Sequence, residues 1–206
     1  MQIISIIGLG VAENATLSDQ AISALNAAEL VIGSPRQLLT LANLLTTQQT
    51  ADLPKLNALK ALIETTSRVV VLGSGDPLYY GIGSWLTKQF NGQFSNVDLH
   101  FYPAISSITQ ACHSLAICQQ DVTVLSLHGR PLAKLKVALK ANKTLLLLTD
   151  KQSQPQHIAA VCQETGFVDA DIIVCERLGY SEQKISRLSV ETLLNSAQSF
   201  DALHVS

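Results

Sequence analysis

Short, mostly β-branched apolar runs that stop at a glycine, each followed by a helical pattern, constrain this chain more than any other feature. The clearest is Val69 to Leu72, which ends at Gly73. A run this short and this apolar reads as a strand buried on both faces, the kind found in parallel sheets. It passes at once into Gly73-Ser74-Gly75-Asp76-Pro77. The glycines accept backbone conformations that a side chain forbids, Asp76 supplies a fixed carboxylate, and Pro77 removes a donor and sets the direction of the chain. Such a loop is built for close approach.

The alternation runs from end to end. Strands are expected at 2–8, 30–32, 69–72, 97–102, 122–127, 144–148 and 171–176, and helices over 20–29, 35–45, 55–64, 78–89, from about 106, 132–140 and 155–164. Asn91-Gly92 breaks the chain between the fourth helix and the next strand. Residues 184–188 alternate like a partly exposed antiparallel strand, 190–194 form about one helical turn, and 200–205 return to the sheet. The class is α/β, with a parallel sheet in an N-terminal lobe, 1–115, and a mixed sheet in a C-terminal lobe, 116–206.

Composition narrows the function. Apolar residues make up 47% of the 206 and charged ones 15%, with a net charge of −2, so the chain can bury a large core and carries no electrostatic footprint for nucleic acid. The longest apolar runs are far too short to span a membrane, and the N-terminus lacks a signal peptide pattern, so the chain reads as cytoplasmic. Cys112, Cys118, Cys162 and Cys175 show no C-x-x-C spacing, which favours free, buried thiols over disulfides or a metal site.

Gly8-Leu9-Gly10 is the obvious nucleotide loop, yet Glu13 stands where a dinucleotide fingerprint needs its third glycine. Glu29, at about the right distance to read a ribose, precedes its strand instead of following it. The Gly73 loop in turn lacks the Gly-Lys-Ser/Thr ending of a P-loop. Asp76 reads either as a helix cap or as an acceptor for a ligand hydroxyl or cation. Arg36, just after Pro35, reads either as a solvated helix start or as a ligand contact. Ser106 and Ser107 suit capping or ligand binding at the strand ends. His128-Gly129-Arg130-Pro131 concentrates polar groups at a strand end in a charge-poor protein.

Taken together, Ile7-Gly8-Leu9-Gly10, Val31-Ile32-Gly33-Ser34-Pro35-Arg36, the segment from Gly73 to Gly81, Pro103-Ala104-Ile105-Ser106-Ser107, Ser126-Leu127-His128-Gly129-Arg130 and Glu176-Arg177-Leu178-Gly179 resemble the tetrapyrrole methyltransferase family over nearly the whole chain. The Gly-Ser-Pro-Arg and Ser-Leu-His-Gly-Arg segments are similar to its branch that methylates C5 of precorrin-7 or cobalt-precorrin-7, in the stand-alone form. The resemblance implies a two-lobed class III methyltransferase-like fold, with S-adenosylmethionine in a cleft between the lobes. It places Val11, Gly75, Asp76, Tyr79, Ser106, Ser107, Thr149 and Gly179 at the cofactor. A homodimer is implied, as is pairing with a separate C15-methyltransferase/decarboxylase. Two departures stand out: Val11-Ala12-Glu13 replaces the usual Pro-Gly-Asp, and Ala104 replaces a glycine.

Methyl transfer from a sulfonium to carbon needs donor and acceptor held aligned and dry. A carboxylate beside the sulfur would stabilise the cationic ground state more than the transition state, so Asp76 is expected at the ribose or amino-acid end. A corrin precursor has a broad apolar face and a carboxylate rim. Arg36, Arg130 and Arg177, each at an expected strand end, suit the rim, because arginine pairs with carboxylates in bidentate fashion. His128, the one imidazole in these motifs, is the candidate base. The competing readings are a relative with another methylation target and a non-catalytic module that binds a nucleotide or tetrapyrrole.

Overall fold

A computed structural model of the chain describes residues 1–90, 96–202 and 204–206; the expected break at Asn91-Gly92 lies outside them. The fold falls into two compact units, Met1–Ser106 and Ser107–Ser206.

The first unit contains β1 (Gln2–Gly8), α1 (Asp19–Asn26), β2 (Leu30–Gly33), α2 (Pro35–Thr40), β3 (Gln49–Asp52), α3 (Leu56–Ile63), β4 (Arg68–Gly73), α4 (Gly83–Phe90) and β5 (Val97–Tyr102). The five strands form one parallel sheet in the order β3-β2-β4-β1-β5. Alternate residues serve opposite faces. Ile4, Ile6, Val69 and Val71 pack against Leu59, Ile63, Leu86 and Phe90 of α3 and α4, while Ile7, Val70 and Leu72 meet Ala21 and Leu25 of α1. Helices on both faces are what make β1 and β4 continuous apolar runs. The edge strand β3, Gln49-Thr50-Ala51-Asp52, is mostly exposed and polar, which is why no apolar run announced it.

Two helices depart furthest from expectation. Helix α2 stops at Thr40 rather than continuing to 45, and α4 begins at Gly83 rather than at 78. In the second case Tyr80 adopts a left-handed φ of 57°, which no helix accommodates.

The second unit contains α5 (Ser107–Ser114), one turn of 3-10 helix (Gln119–Asp121), β6 (Val122–Ser126), α6 (Ala133–Ala138), β7 (Thr144–Leu148), α7 (Pro155–Glu164), β8 (Asp171–Glu176), β9 (Lys184–Ser189), α8 (Val190–Leu194) and β10 (His204–Val205). Its sheet runs β6-β7-β10-β8-β9 and is mixed. Strands β6 and β7 are parallel, β10 is antiparallel to β7 and β8, and β9 is antiparallel to β8. One core joins Leu127, Leu135, Leu147, Ile158, Val174 and Leu193. Another joins Ile108, Ala111 and Cys112 of α5 to Leu146, Cys175 and Val205. That second core explains why the division falls at Ser106/Ser107 and not at 115/116 as read from sequence: α5 buries its apolar face with the mixed sheet.

The last strand is shorter than the expected 200–205, and Leu203 lies outside the described residues. All four cysteines are free thiols. Cys112, Cys162 and Cys175 are buried, and burial pushes the Cys175 thiol up to about 11, whereas Cys118 is exposed, contrary to the expectation of four buried thiols. Among the described residues no helix is long and apolar enough to cross a membrane.

Candidate active site

In the first unit β1 and β4 are neighbours whose connections leave in opposite directions, β1 toward β2 and β4 across to β5. In open parallel sheets, ligands bind beyond the carboxyl ends of strands at such a switch point. Gly8-Leu9-Gly10 and the Gly73–Pro77 loop meet there. The Leu9 N–H donates to the Gly73 carbonyl at 2.9 Å, and the Gly75 N–H donates to the Gly10 carbonyl at 3.0 Å. Gly10 and Gly75 have φ of 74° and 65°, the left-handed region that favours glycine. A Cβ on Gly8 would lie 2.5 Å from the Gly75 carbonyl oxygen, 2.9 Å from a Pro77 ring carbon and 3.0 Å from the Ala104 methyl, so the approach of the two loops depends on its absence.

Asp76 does not cap α4, which starts at Gly83. Its Oδ1 instead accepts the Leu78 N–H at 2.8 Å in a local turn, and Oδ2 has no partner among the described residues. The loop is tied sideways to α2. Ser34 and Gln37 form a reciprocal capping box, and the Gln37 Nε2 donates to Ser74 Oγ at 3.0 Å, with Arg36 Nη2 3.4 Å from the same oxygen. Arg36 is therefore part of this edge, along with Val11, Gly75, Asp76 and Tyr79. Ser106, buried, closes the first unit after β5, and Ser107 opens α5.

In the second unit the carboxyl ends of β6, β7 and β8 share one edge, since β10 runs antiparallel to β7 and β8. Asp150 organises it. Its Oδ2 accepts the Gly129 N–H at 2.7 Å, and Oδ1 accepts from Gln152 N at 2.9 Å, Ser153 N at 3.1 Å and Ser153 Oγ at 3.0 Å. These donors, the Gly129 amide foremost, hold its carboxyl down at about 2. The exposed His128 places Nδ1 3.4 Å from the Thr149 carbonyl, an acceptor that suits the tautomer with its proton on Nδ1. The Thr149 hydroxyl donates to the His204 carbonyl at 3.0 Å. His128, Arg130 and Thr149 thus lie on adjoining strand-end loops.

Arg177 is differently placed. It has a φ of 50°, its guanidinium lies 3.7 Å from Glu182 and 3.8 Å from Asp201, and it stands 5.4 Å from the centre of the Tyr180 ring. The Gly179 N–H is taken by Gln183 Oε1 at 2.9 Å. Sequence reasoning missed Gln37 and Asp150. The Ser34-x-x-Gln37 spacing of a capping box was a signal for the first. The contact between Asp150 and Gly129 spans 21 positions and leaves no local signal. Among the described residues no group of three or more His, Cys, Asp or Glu is placed to hold a metal ion.

The model of the tetrapyrrole (corrin/porphyrin) methylases matches residues 4–194. A precorrin-6Y C(5,15)-methyltransferase (decarboxylating) of Sinorhizobium is 31% identical over 187 residues, covering 89% of this chain and 44% of that protein. The chain therefore spans less than half the length of such relatives. A cobalt-precorrin-7 C(5)-methyltransferase of Salmonella typhimurium is 26% identical over 192 residues, 92% of each chain. The structure of uroporphyrin-III C-methyl transferase from Thermus thermophilus, complexed with S-adenyl homocysteine, superposes with a TM-score of 0.74 at 18% identity and covers 98% of this chain and 94% of that one, a likeness of fold.

Proposed function

Because the chain belongs to the tetrapyrrole (corrin/porphyrin) methylase family, we propose that it methylates C5 of a corrin precursor in cobalamin biosynthesis, converting cobalt-precorrin-7 to cobalt-precorrin-8. One observation carries the choice of carbon. Relatives of two lengths align with at least 85% of this chain, some named for C5 and C15 together and others for C5 alone, and C5 is what their names share. C15 methylation and decarboxylation are assigned to a partner activity, and a homodimer belongs to the same reading.

S-adenosylmethionine, the donor used by this family, supplies an electrophilic methyl group on a sulfonium. The first unit's edge suits such a molecule. Gly10 and Gly75, both at positive φ, give a floor of bare backbone, and Asp76 Oδ2 is an acceptor left over for a ribose hydroxyl or an ammonium group. Val11 and Tyr79 flank that floor, and Ser106, Ser107, Thr149 and Gly179 are assigned to the cofactor on the family pattern. Arg36 and Arg130 receive rim carboxylates of the substrate. Arg177, 3.7 Å from Glu182 and 3.8 Å from Asp201, is the third candidate for a rim carboxylate and also braces the end of β8. His128 Nε2 is the acceptor for the proton lost from the methylated carbon.

Mass spectrometry after incubation with cobalt-precorrin-7 and S-adenosylmethionine tests the assignment. A gain of one methyl group is expected, and an unchanged substrate mass would overturn it.

A further inference from the structure

The sheet face that α1 covers in the first unit is incomplete toward its edge strand. Ser5 of β1 is in register with His100 of β5, as Ile3 is with Asp98 and Ile7 with Tyr102, so these six side chains share one face. Helix α1 packs Ala21 and Leu25 over Ile7, Val31 and Val70, and its flank over the gap to β5 is alanine: Ala24 and Ala28, one turn apart, with Ala27 beside them. A cavity of about 200 Å³ remains there, bounded by Ile3 and Ser5 below and by Arg68 and His100 at its sides. Arg68 opens β4 and Ile3 is the second residue of β1, so the cavity lies at the amino-terminal ends of strands whose carboxyl ends form the cofactor edge.

Two polar groups of this cavity are left over. Ser5 sits between the fully buried Ile4 and Ile6 and is 5% exposed, and its hydroxyl has no hydrogen-bond partner among the described residues. Buried hydroxyls are as a rule partnered, so this one marks an unfilled acceptor or donor position. Arg68 is exposed and makes no side-chain hydrogen bond or ion pair among the described residues. His100 is already engaged, Nε2 with Asp98 Oδ2 at 2.8 Å, which leaves Arg68 as the uncompensated charge of the lining.

These groups describe a ligand. A guanidinium calls for a carboxylate, the Ser5 hydroxyl can donate to an oxygen of the same molecule, and the alanines over Ile3 leave an apolar slot. A cavity of roughly 150 Å³ takes a benzene ring. About 200 Å³ therefore takes a ring with its carboxylate. A second copy of the chain fits the face less well: Ile3, Val69 and Tyr102, the large apolar side chains of the lining, are none of them exposed, whereas the centre of a protein interface is built on apolar groups open to the partner. We propose that the cavity between α1 and β5 binds a small carboxylate with a flat apolar body, of benzoate size, its carboxylate on Arg68 and hydrogen-bonded to Ser5. The site is separate from the cofactor edge and stands or falls independently of methyl transfer.

The test titrates 4-fluorobenzoate into the full chain and follows it by fluorine NMR. Saturable binding is expected, and excess S-adenosylhomocysteine should not displace the probe. Arg68→Gln and Ser5→Ala should each weaken it about tenfold, and 4-fluorobenzamide, which lacks the charge, should bind about tenfold more weakly than the carboxylate. Ala24→Leu, whose larger side chain fills the slot, should abolish binding. Arg68→Gln alters an exposed side chain and keeps the test open should Ala24→Leu fail to fold. Absence of saturable binding, unchanged affinity in Arg68→Gln or Ser5→Ala, binding retained by a folded Ala24→Leu, equal affinity for the amide, or displacement by S-adenosylhomocysteine would each overturn the site. Sedimentation of the same proteins covers the other occupant: a parent that binds no probe and sediments as a dimer, with Ala24→Leu sedimenting as a monomer, would give the face to a second copy of the chain and refute the ligand.

Discussion

The strand-end edge of the first unit is made of backbone, and that of the second is made of carboxylates. Between β1 and β4, two loops lock through Leu9–Gly73 and Gly75–Gly10 hydrogen bonds, and their spacing is set by the missing Cβ of Gly8. At the ends of β6, β7 and β8, the loops are held by Asp150, which gathers the Gly129, Gln152 and Ser153 donors, and by the Asp201 and Glu182 partners of Arg177. The difference bears on chemistry. A backbone edge has a fixed shape, does not titrate and fails abruptly when a side chain intrudes. A carboxylate edge responds to pH and fails by degrees.

Gly8→Ala carries the largest expected effect. Its methyl would sit 2.5 Å from a backbone oxygen that cannot yield as a flexible side chain would. A loss of about 2–3 kcal/mol in urea unfolding is expected, together with loss of S-adenosylhomocysteine binding. An unaltered unfolding midpoint would mean that the two loops do not depend on this close approach.

Asp76→Ala comes next. Because Asp76 is no helix cap and its side chain bonds only Leu78 within the described residues, the fold should be retained while S-adenosylhomocysteine affinity in calorimetry falls roughly tenfold or more. Equal affinity would reduce Asp76 to a local turn former.

The smallest effect concerns the second edge. The Asp150 carboxyl is held at about 2 in the folded chain, below its ordinary 3.8, so the unfolded chain binds more protons in that interval. The stabilisation is therefore complete above about pH 4 and is lost as pH falls toward about 2. The Gly129 amide resonance should follow this titration with its midpoint near the lower value and should not titrate in Asp150→Asn. A midpoint near 4 would show that the amide does not hold the carboxylate.

Much of this was legible in the chain itself. Strands buried on both faces, such as β1, β4 and β7, had to be apolar runs, and they read as such. What escaped lacked a local cause. β3 is polar because it lies at an exposed sheet edge, so its four residues look like a loop. Leu78 and Tyr79 present apolar residues at a helix start, yet the left-handed Tyr80 defers the helix to Gly83. The apolar face of α5 shows in sequence, but not which sheet it covers, and so the sequence places the boundary nine residues late. In the site the same rule holds: the Gly-Ser-Gly-Asp-Pro loop is contiguous and legible in the sequence, and the hold of Asp150 on Gly129, which depends on the pairing of β6 with β7, is not.

The most direct test of the account follows the methyl group itself. Cobalt-precorrin-7 is incubated with the protein and S-adenosylmethionine carrying a carbon-13 label on its methyl, and the product is read by carbon-13 NMR. The account predicts a single enriched methyl attached to C5; a label at any other carbon, or none incorporated, would contradict it.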